Sequence, residues 1–477
     1  MIASSSIVQE RRRYHAYRPM VTSIGMALGL ALVSASSARA STYRVYTASA
    51  ASSMTLNAGD GVCSLAEAVQ HAQGNTIYNC TDFDPTSSEQ RIELLESPNK
   101  PFATNHFKIT TLNLLRQGIR IRIFGSGGFI DSTATASAFV VPFKSIAFFE
   151  RVTLTNTAGS AGGRLIENYG DLGFYGVTLT KGDVTGAQHS TGRGGAIFNG
   201  NTQGMFPGVI SFAENSLITG NKAKKGGGVY NDAGLINELA VIISNNTATL
   251  AGGGIYNISS TPPQTNWTNG RIVTVSATIQ GNSARAGGGI FNRGLVEFTS
   301  STVTGNFTTT TGSSGESCTG SASCDGLGGG VLSVHLATKS DTRFMLLGTS
   351  LSNNTASARG GAVYSSGVLE LGGNAINGNK APDGAALYIV PPTDGTQQYC
   401  NVFGDGNSGS ATINSNIANA GNYSIVSGGA NGVADFRTCT FGGLATPGQI
   451  TYVTATGNSN PYCRAGTVNP SSRCPQP

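Results

Sequence analysis

Apolar residues in the central half of this chain come in short runs rich in β-branched and aromatic side chains, broken by Gly and Asn. No run carries the 3.6-residue apolar period of a helix, so the pattern predicts strands and tight turns. The runs also resemble one another. Gly194–Asn199 reads GGAIFN, and it is echoed by GGGVYN at 226–231, GGGIYN at 252–257 and GGGIFN at 287–292. Looser copies begin at Gly328, Gly360 and Gly384, and a degenerate one contains Leu165, Ile166, Glu167 and Asn168. A second element precedes most copies: Ile218-Thr219-Gly220-Asn221, Ile243-Ser244-Asn245-Asn246 and Ile279-Gln280-Gly281-Asn282, with later versions ending at Asn306, Asn354 and Asn379.

The apolar residue after the glycines runs Ile166, Ile197, Val229, Ile255, Ile290, Val331, Val363, Leu387, at spacings of 24 to 41 residues. That range suits a solenoid repeat with insertions. One unit alone has no way to bury its apolar side, whereas stacked units do. The predicted fold is all-β: a right-handed parallel β-helix, a pectate-lyase-like solenoid whose strands lie about 4.8 Å apart. Its Ile/Val positions form an internal stack. The asparagines stack too, each amide reaching the Asn one coil away, and Asn also tolerates left-handed turns. The glycines fit tight corners with positive φ and close backbone approach. A phosphate-cradling loop would need a following helix and would not recur in coil after coil.

Near Asp60 the pattern changes. Asp60-Gly61-Val62-Cys63-Ser64-Leu65-Ala66-Glu67-Ala68-Val69 places Ser64 as an N-cap with Glu67 three residues later, a capping box. Leu65, Ala68 and Val69 then share one face of a short helix. Such a helix would cover the first coil, otherwise an open sheet edge. These residues resemble the D-G-x-C-S-L-R-E-A-I signature of secreted bacterial β-helix proteins named for their C-S-L-R-E-A motif. The GGAIFN and GGGIYN repeats are similar to those of polymorphic outer-membrane-protein-like adhesins. Together the similarities cover roughly residues 45–390, and they imply a secreted or cell-surface adhesive protein. Ala66 replaces the signature arginine. Nothing in the C-terminal part reads as the alternating strands of a membrane barrel.

Composition adds the compartment. The formal charge of the 477-residue chain is +5, but residues 1–40 hold Arg11, Arg12, Arg13, Arg18 and Arg39 against Glu10. Val21 to Val33 is a short apolar stretch, too short for an ordinary membrane span, and Ala38-Arg39-Ala40 gives a small-x-small cleavage pattern. Residues 1–40 therefore read as a secretory signal peptide, followed by an N-terminal cap and first coils (41–125), the β-helix repeats (126–390) and C-terminal coils with a cap (391–477). Without the signal, 25 basic and 24 acidic side chains remain. That balance argues against steering onto nucleic acid. The eight cysteines fall into near neighbours: Cys63 with Cys80, Cys318 with Cys324, Cys400 with Cys439, and Cys463 with Cys474. Four structural disulfides in an oxidising compartment is the simple reading, and no zinc-type spacing occurs.

Parallel β-helices include polysaccharide lyases and hydrolases, so catalysis has to be weighed. Hydrolysis normally uses paired carboxylates. Asp171, Asp183, Glu214, Asp232, Glu238, Glu297 and Glu370 are scattered, and no tandem acidic motif appears. His71, His106, His189 and His335 are far apart, each expected at the surface or in a loop. No acidic cluster calls for calcium, and nothing calls for a cofactor or metal.

The basic residues at the glycine corners are more suggestive. Arg193, Lys225 and Arg359 each directly precede a glycine pair or triplet, and Arg285 lies two residues before one. Stacking would bring them to one edge as a broken ladder. Such a ladder either holds an anionic polysaccharide or lipopolysaccharide, or is solvated corner decoration that discourages edge pairing. Insertions gather at two corners: 200–207 and 258–271, the latter with the only tryptophan, Trp267, and 183–193 and 308–327, the latter with Cys318 and Cys324. Loops on a rigid scaffold are where binding usually resides. The sequence thus leaves three readings: an adhesive or carbohydrate-binding surface protein, an extracellular lyase or glycoside hydrolase acting on an acidic polysaccharide, and a structural surface or matrix component.

Overall fold

The computed structural model describes residues 120–390 except 159–161, 187–190, 203–205, 259–269, 310–314, 319–322, 336–341 and 373. It also describes 41–46, 63–75, 80, 87, 89–95, 106–109 and 111–114, and beyond 390 the backbone of strands at 398–403, 411–414, 417–418, 425–428, 432–435, 439–441 and 450–453.

Long parallel sheets carry the fold. A 23-stranded sheet bends into two faces, and a 12-stranded sheet forms a third. One turn runs Val209–Ala213 on the first face, Leu217–Thr219 on the second and Val229–Asp232 on the third. The next repeats it with Leu235–Leu239, Ile242–Ser244 and Ile255–Ile258, each strand parallel to its predecessor. Between the second and third faces, short strands such as Lys222–Lys225 and Thr247–Ala251 line a corner. The solenoid read from the repeats is therefore an all-β parallel one.

The inward stack follows the repeat register. Ile166 pairs with Ile197, then Val229, Ile255, Ile290, Val331, Val363 and Leu387. All are fully buried. Each such side chain contributes roughly 1.5–3 kcal/mol of apolar burial, set against the conformational entropy of ordering its coil. Ile210, Ile218 and their counterparts on the other two faces complete the same core.

Glycine at the corner answers two separate demands. Gly226 has φ +65°, and Gly227 has no room for a side chain, because a Cβ there would lie 2.4 Å from the Gly253 carbonyl oxygen of the next coil.

The asparagines form two buried ladders. On the third face, the amides of Asn168, Asn199, Asn231 and Asn257 donate to Oδ1 of Asn199, Asn231, Asn257 and Asn292 at 2.8–2.9 Å. After the second face, Asn221, Asn246, Asn282, Asn306, Asn354 and Asn379 do the same at 3.0 Å. The left-handed turn belongs to a different residue. It falls on the position before each second-ladder asparagine, at Gly220, Asn245, Gly281, Gly305, Asn353 and Gly378.

The first coil carries helix α1, Leu65–Ala72. The Ser64 hydroxyl accepts from the Glu67 amide at 3.2 Å, and the Glu67 carboxylate accepts from the Ser64 amide at 3.0 Å. The helix packs on strands Ser41–Tyr46, Glu89–Leu95 and His106–Ile109, and a Cys63–Cys80 disulfide ties its start to the chain that follows. His71, expected at the surface or in a loop, is instead buried in this helix edge-on to the Tyr43 ring, because it lies on the face turned toward the sheet.

Past residue 390 the strands at Gln398–Phe403, Ala411–Asn414 and Ile425–Gly428 continue the three faces in parallel. The disulfide-tied cap expected there lies outside the described residues, as do the side chains of Cys400 and Cys439 and all of Cys463 and Cys474. The signal segment 1–40 lies outside them too. Among the described residues no helix is long and apolar enough to cross a membrane.

Candidate functional site

Strand alternation sends the residue after each inward Ile or Val to the outside of the third face. Those residues are Phe198, Tyr230, Tyr256, Phe291, Leu332, Tyr364 and Tyr388, in register from coil to coil. An outward row this apolar needs a cover. The rings stack along the solenoid: Phe198 on Tyr230 at 5.6 Å, Tyr230 on Tyr256 at 4.9 Å, and Tyr256 on Phe291 at 4.7 Å. Tyr230, Tyr256 and Phe291 are fully buried, in a cluster separate from the core that includes Cys318, Cys324 and Leu327. Part of the cover is therefore Cys318, Cys324 and Leu327 from the later coil's insertion, the two cysteines joined as a disulfide.

Cations lie along the same row. Arg164 stands over Phe198 at 5.1 Å, Arg193 over Tyr230 at 5.0 Å, Lys225 over Tyr256 at 5.5 Å, Arg293 over Phe291 at 4.9 Å, and Arg359 over Tyr388 at 5.0 Å. Each such contact is worth roughly 0.5–2 kcal/mol depending on how dry it is. Carboxylates face them. Arg164 pairs with Glu167 at 3.4 Å, Arg193 with Asp232 at 3.6 Å, and Glu316 with both Lys225 at 2.5 Å and Arg293 at 3.1 Å. The Tyr256 hydroxyl donates to Glu316 at 3.3 Å, and the Tyr169 hydroxyl to Glu167 at 2.5 Å.

The expected basic ladder is real but shorter than its motif. Arg193 bridges to Lys225, and Lys225 pairs with Ala251, which bridges to Ala286. Leu327 bridges to Arg359 further along. Arg193, Lys225 and Arg359 therefore share one column, interrupted by Ala251, Ala286 and Leu327. Arg285 stands one residue off that column, beside Ala286, and its carbonyl accepts from Gly326 of the inserted loop. Trp267 lies outside the described residues. Arg164, Arg293, Tyr256 and Glu316 were not among the residues singled out from sequence. The available signal was the aromatic residue at an outward position, repeated in four consecutive coils.

The electrostatics follow from burial. Desolvation pushes the phenols of Tyr169, Tyr230 and Tyr256 above the ordinary tyrosine range, with Glu167 raising Tyr169 further. Desolvation lowers the Arg164 guanidinium against the opposing pull of Glu167. The Tyr169 and Tyr256 phenols accordingly donate, to Glu167 and Glu316 respectively.

Two of the scattered carboxylates share a column of the first face, Glu297 and Glu370 each pairing in register with Met345 from either side. Glu297 pairs with Arg271 at 3.4 Å and Glu370 with Arg343 at 2.6 Å on the first face, while Asp183 accepts from Thr185. The Glu238 side chain lies outside the described residues. Among the described residues no group of three or more His, Cys, Asp or Glu is placed to hold a metal ion. No family model matches the chain, and no curated protein or solved structure matches it at a significant level.

Proposed function

We propose that this chain is a secreted or cell-surface right-handed parallel β-helix whose third face binds acidic carbohydrate, in an adhesive role. The right-handed sense follows from the strong preference of parallel crossovers. Secretion rests on the signal-like residues 1–40, and the adhesive role on the resemblance to C-S-L-R-E-A proteins and polymorphic outer-membrane-protein-like adhesins. The observation that carries the binding role is the row of Arg164, Arg193, Lys225, Arg293 and Arg359 fixed over aromatic rings on one face. Stacking on a ring pre-orders each cation, so less side-chain entropy is lost when an anion binds. The Arg193 side chain remains 39% exposed and Lys225 29%, leaving N–H donors for a ligand beyond their internal partners.

The test uses the chain from Ser41 onward and a panel of acidic and neutral polysaccharides, followed by size-exclusion chromatography. Co-elution with acidic polymers of unchanged length, weakened by Arg193→Met or Arg359→Met, is the expected result. Shortening of any polymer would replace this reading with a lyase or hydrolase. Neither co-elution nor shortening would favour a structural surface component.

A further inference from the structure

The first face carries an outward pattern that the second face lacks. Four consecutive coils contribute Arg271–Val275, Leu295–Thr299, Arg343–Leu347 and Val368–Gly372. Their outward charges run Arg271, Glu297, Arg343, Glu370, so the sign alternates from coil to coil. The arginines share one column with Leu295 and Val368, and the glutamates share the next with Val273 and Met345. Arg271 pairs with Glu297 at 3.4 Å and Arg343 with Glu370 at 2.6 Å. None of these four side chains is more than 34% exposed, so they lie low against the strands. A third column holds Leu239, Val275 and Leu347, and Leu239 is 39% exposed. On the second face the last three of the corresponding strands place Thr278, Gln280, Thr302, Thr304, Ser350 and Ser352 outward. The solenoid therefore does not require apolar side chains on an outward face, and those of the first face mark an interaction surface.

We infer that the first face docks a second copy of this chain, the two solenoids packing antiparallel across a two-fold axis. The argument is charge complementarity. With the axis along the strands, midway between Leu295–Thr299 and Arg343–Leu347, the order Arg, Glu, Arg, Glu faces Glu, Arg, Glu, Arg. Arg343 of each copy then lies over Leu295 and beside Glu297 of the other, and Arg271 over Val368 and beside Glu370. Each guanidinium gains a second carboxylate, with apolar contact around it from Val273 and Met345. Parallel packing would instead set arginine level with arginine in every charged coil. The strands pair in register without a bulge from Val209 to Gly372, leaving a flat face that another flat face can approach to about 10 Å. Six coils centred on the axis, from Leu235–Leu239 to Gln398–Phe403, span roughly 500 Å² per copy at about 4.8 Å per coil and 3.3 Å per residue. The total of roughly 1,000 Å² suits a specific, reversible dimer. This goes beyond the carbohydrate reading and does not depend on it. The third face stays outside the contact, so a dimer presents its row of stacked cations twice.

The experiment is sedimentation equilibrium of the chain from Ser41 onward, without any polysaccharide, across the micromolar range. A monomer–dimer equilibrium that loosens as salt is added is the expected result. Glu297→Lys and Arg343→Glu, each alone, should weaken self-association about tenfold or more, because each sets like charges against one another across the axis. Mixed in equal amounts, the two variants should pair with each other about as tightly as wild type does with itself, since the new lysine of one meets the new glutamate of the other. Mixing restores neither the Arg271–Glu297 nor the Arg343–Glu370 pair within a chain, so a purely structural effect would not be rescued. Circular dichroism checks that each variant keeps its β-sheet signal. Should either fail to fold, Leu347→Asp probes the same face without touching an ion pair and should also weaken the dimer. A wild type that stays monomeric throughout would overturn the proposal, as would a dimer that every folded variant leaves intact. Weakening by both single charge reversals with no recovery on mixing would overturn the two-fold arrangement.

Discussion

The side-chain amide of Asn231 donates to Oδ1 of Asn257 at 2.8 Å, and both residues are completely buried although 26 residues separate them. The same amide donates to the Gly234 carbonyl at 2.9 Å, so each asparagine closes its own turn and clamps the next coil. A buried amide left without these partners loses its hydration with nothing in exchange.

Asn257→Ala removes the acceptor of Asn231 and the donor to Gly270 and Asn292. We expect a loss of about 2–4 kcal/mol in urea unfolding, as for other buried unsatisfied polar groups. Asn257→Ser should lose less, since Ser333 already serves as the terminal acceptor for Asn292 at 3.3 Å. An alanine variant as stable as wild type would mean that the ladder is incidental to stability.

Glycine corners should separate steric from conformational demand. Gly253→Ala would place a Cβ 2.2 Å from the Gly288 carbonyl oxygen, so the backbone of two coils must shift. A loss of about 3 kcal/mol is expected. Gly315 has φ +63° but nothing within 4 Å of a new Cβ, so Gly315→Ala should lose only about 1–2 kcal/mol. Equal effects in thermal melts would refute the close-approach argument at Gly253.

Removing the cap hydroxyl in Ser64→Ala leaves the Glu67 amide without its partner. The expected loss is about 1 kcal/mol, localised to the N-terminal coil. Hydrogen exchange measures this directly: faster exchange in Leu65–Ala72 with unchanged protection at Val229–Asp232 is the expected pattern. A uniform loss across both segments would show that the helix and the repeats unfold as one unit.

Alkaline pH should destabilise the chain through its buried phenols. Tyr230 and Tyr256 have folded-state pKa values raised above the ordinary 10.0 by desolvation. Their contribution to stability is complete below pH 10 and declines as pH rises from there through the folded values, because the unfolded chain ionises first. In a spectrophotometric titration, these tyrosines should form tyrosinate only together with loss of the β-sheet signal. Smooth titration near pH 10 with the fold intact would contradict their burial under the disulfide loop.

Much of this architecture was legible because a solenoid is nearly one-dimensional. The spacing from Ile166 to Leu387 already specified which residues stack, since each coil's neighbour in space is its neighbour in the repeat. Ser64 and Glu67 announced the cap helix, because a capping box is local. The asparagine ladders are legible for the same reason, since the asparagines recur in register. The left-handed positions beside the second ladder, such as Gly220 and Asn245, are not, because sequence adjacency hides which of two turn residues carries the positive φ.

What the sequence by itself determined is the coil register, the inward Ile/Val stack, the glycine corners and the column holding Arg193, Lys225 and Arg359. All of these depend on contacts between equivalent positions in successive repeats. Tertiary structure alone decided the fate of that column. Glu316 lies in an insertion with no counterpart in the coils it covers, and periodicity says nothing about where an insertion folds back. Its carboxylate came to Lys225, Arg293 and Tyr256 because the outward aromatic row needed an apolar cover and the nearby cations needed a counter-charge, and the Cys318–Cys324 loop supplied both.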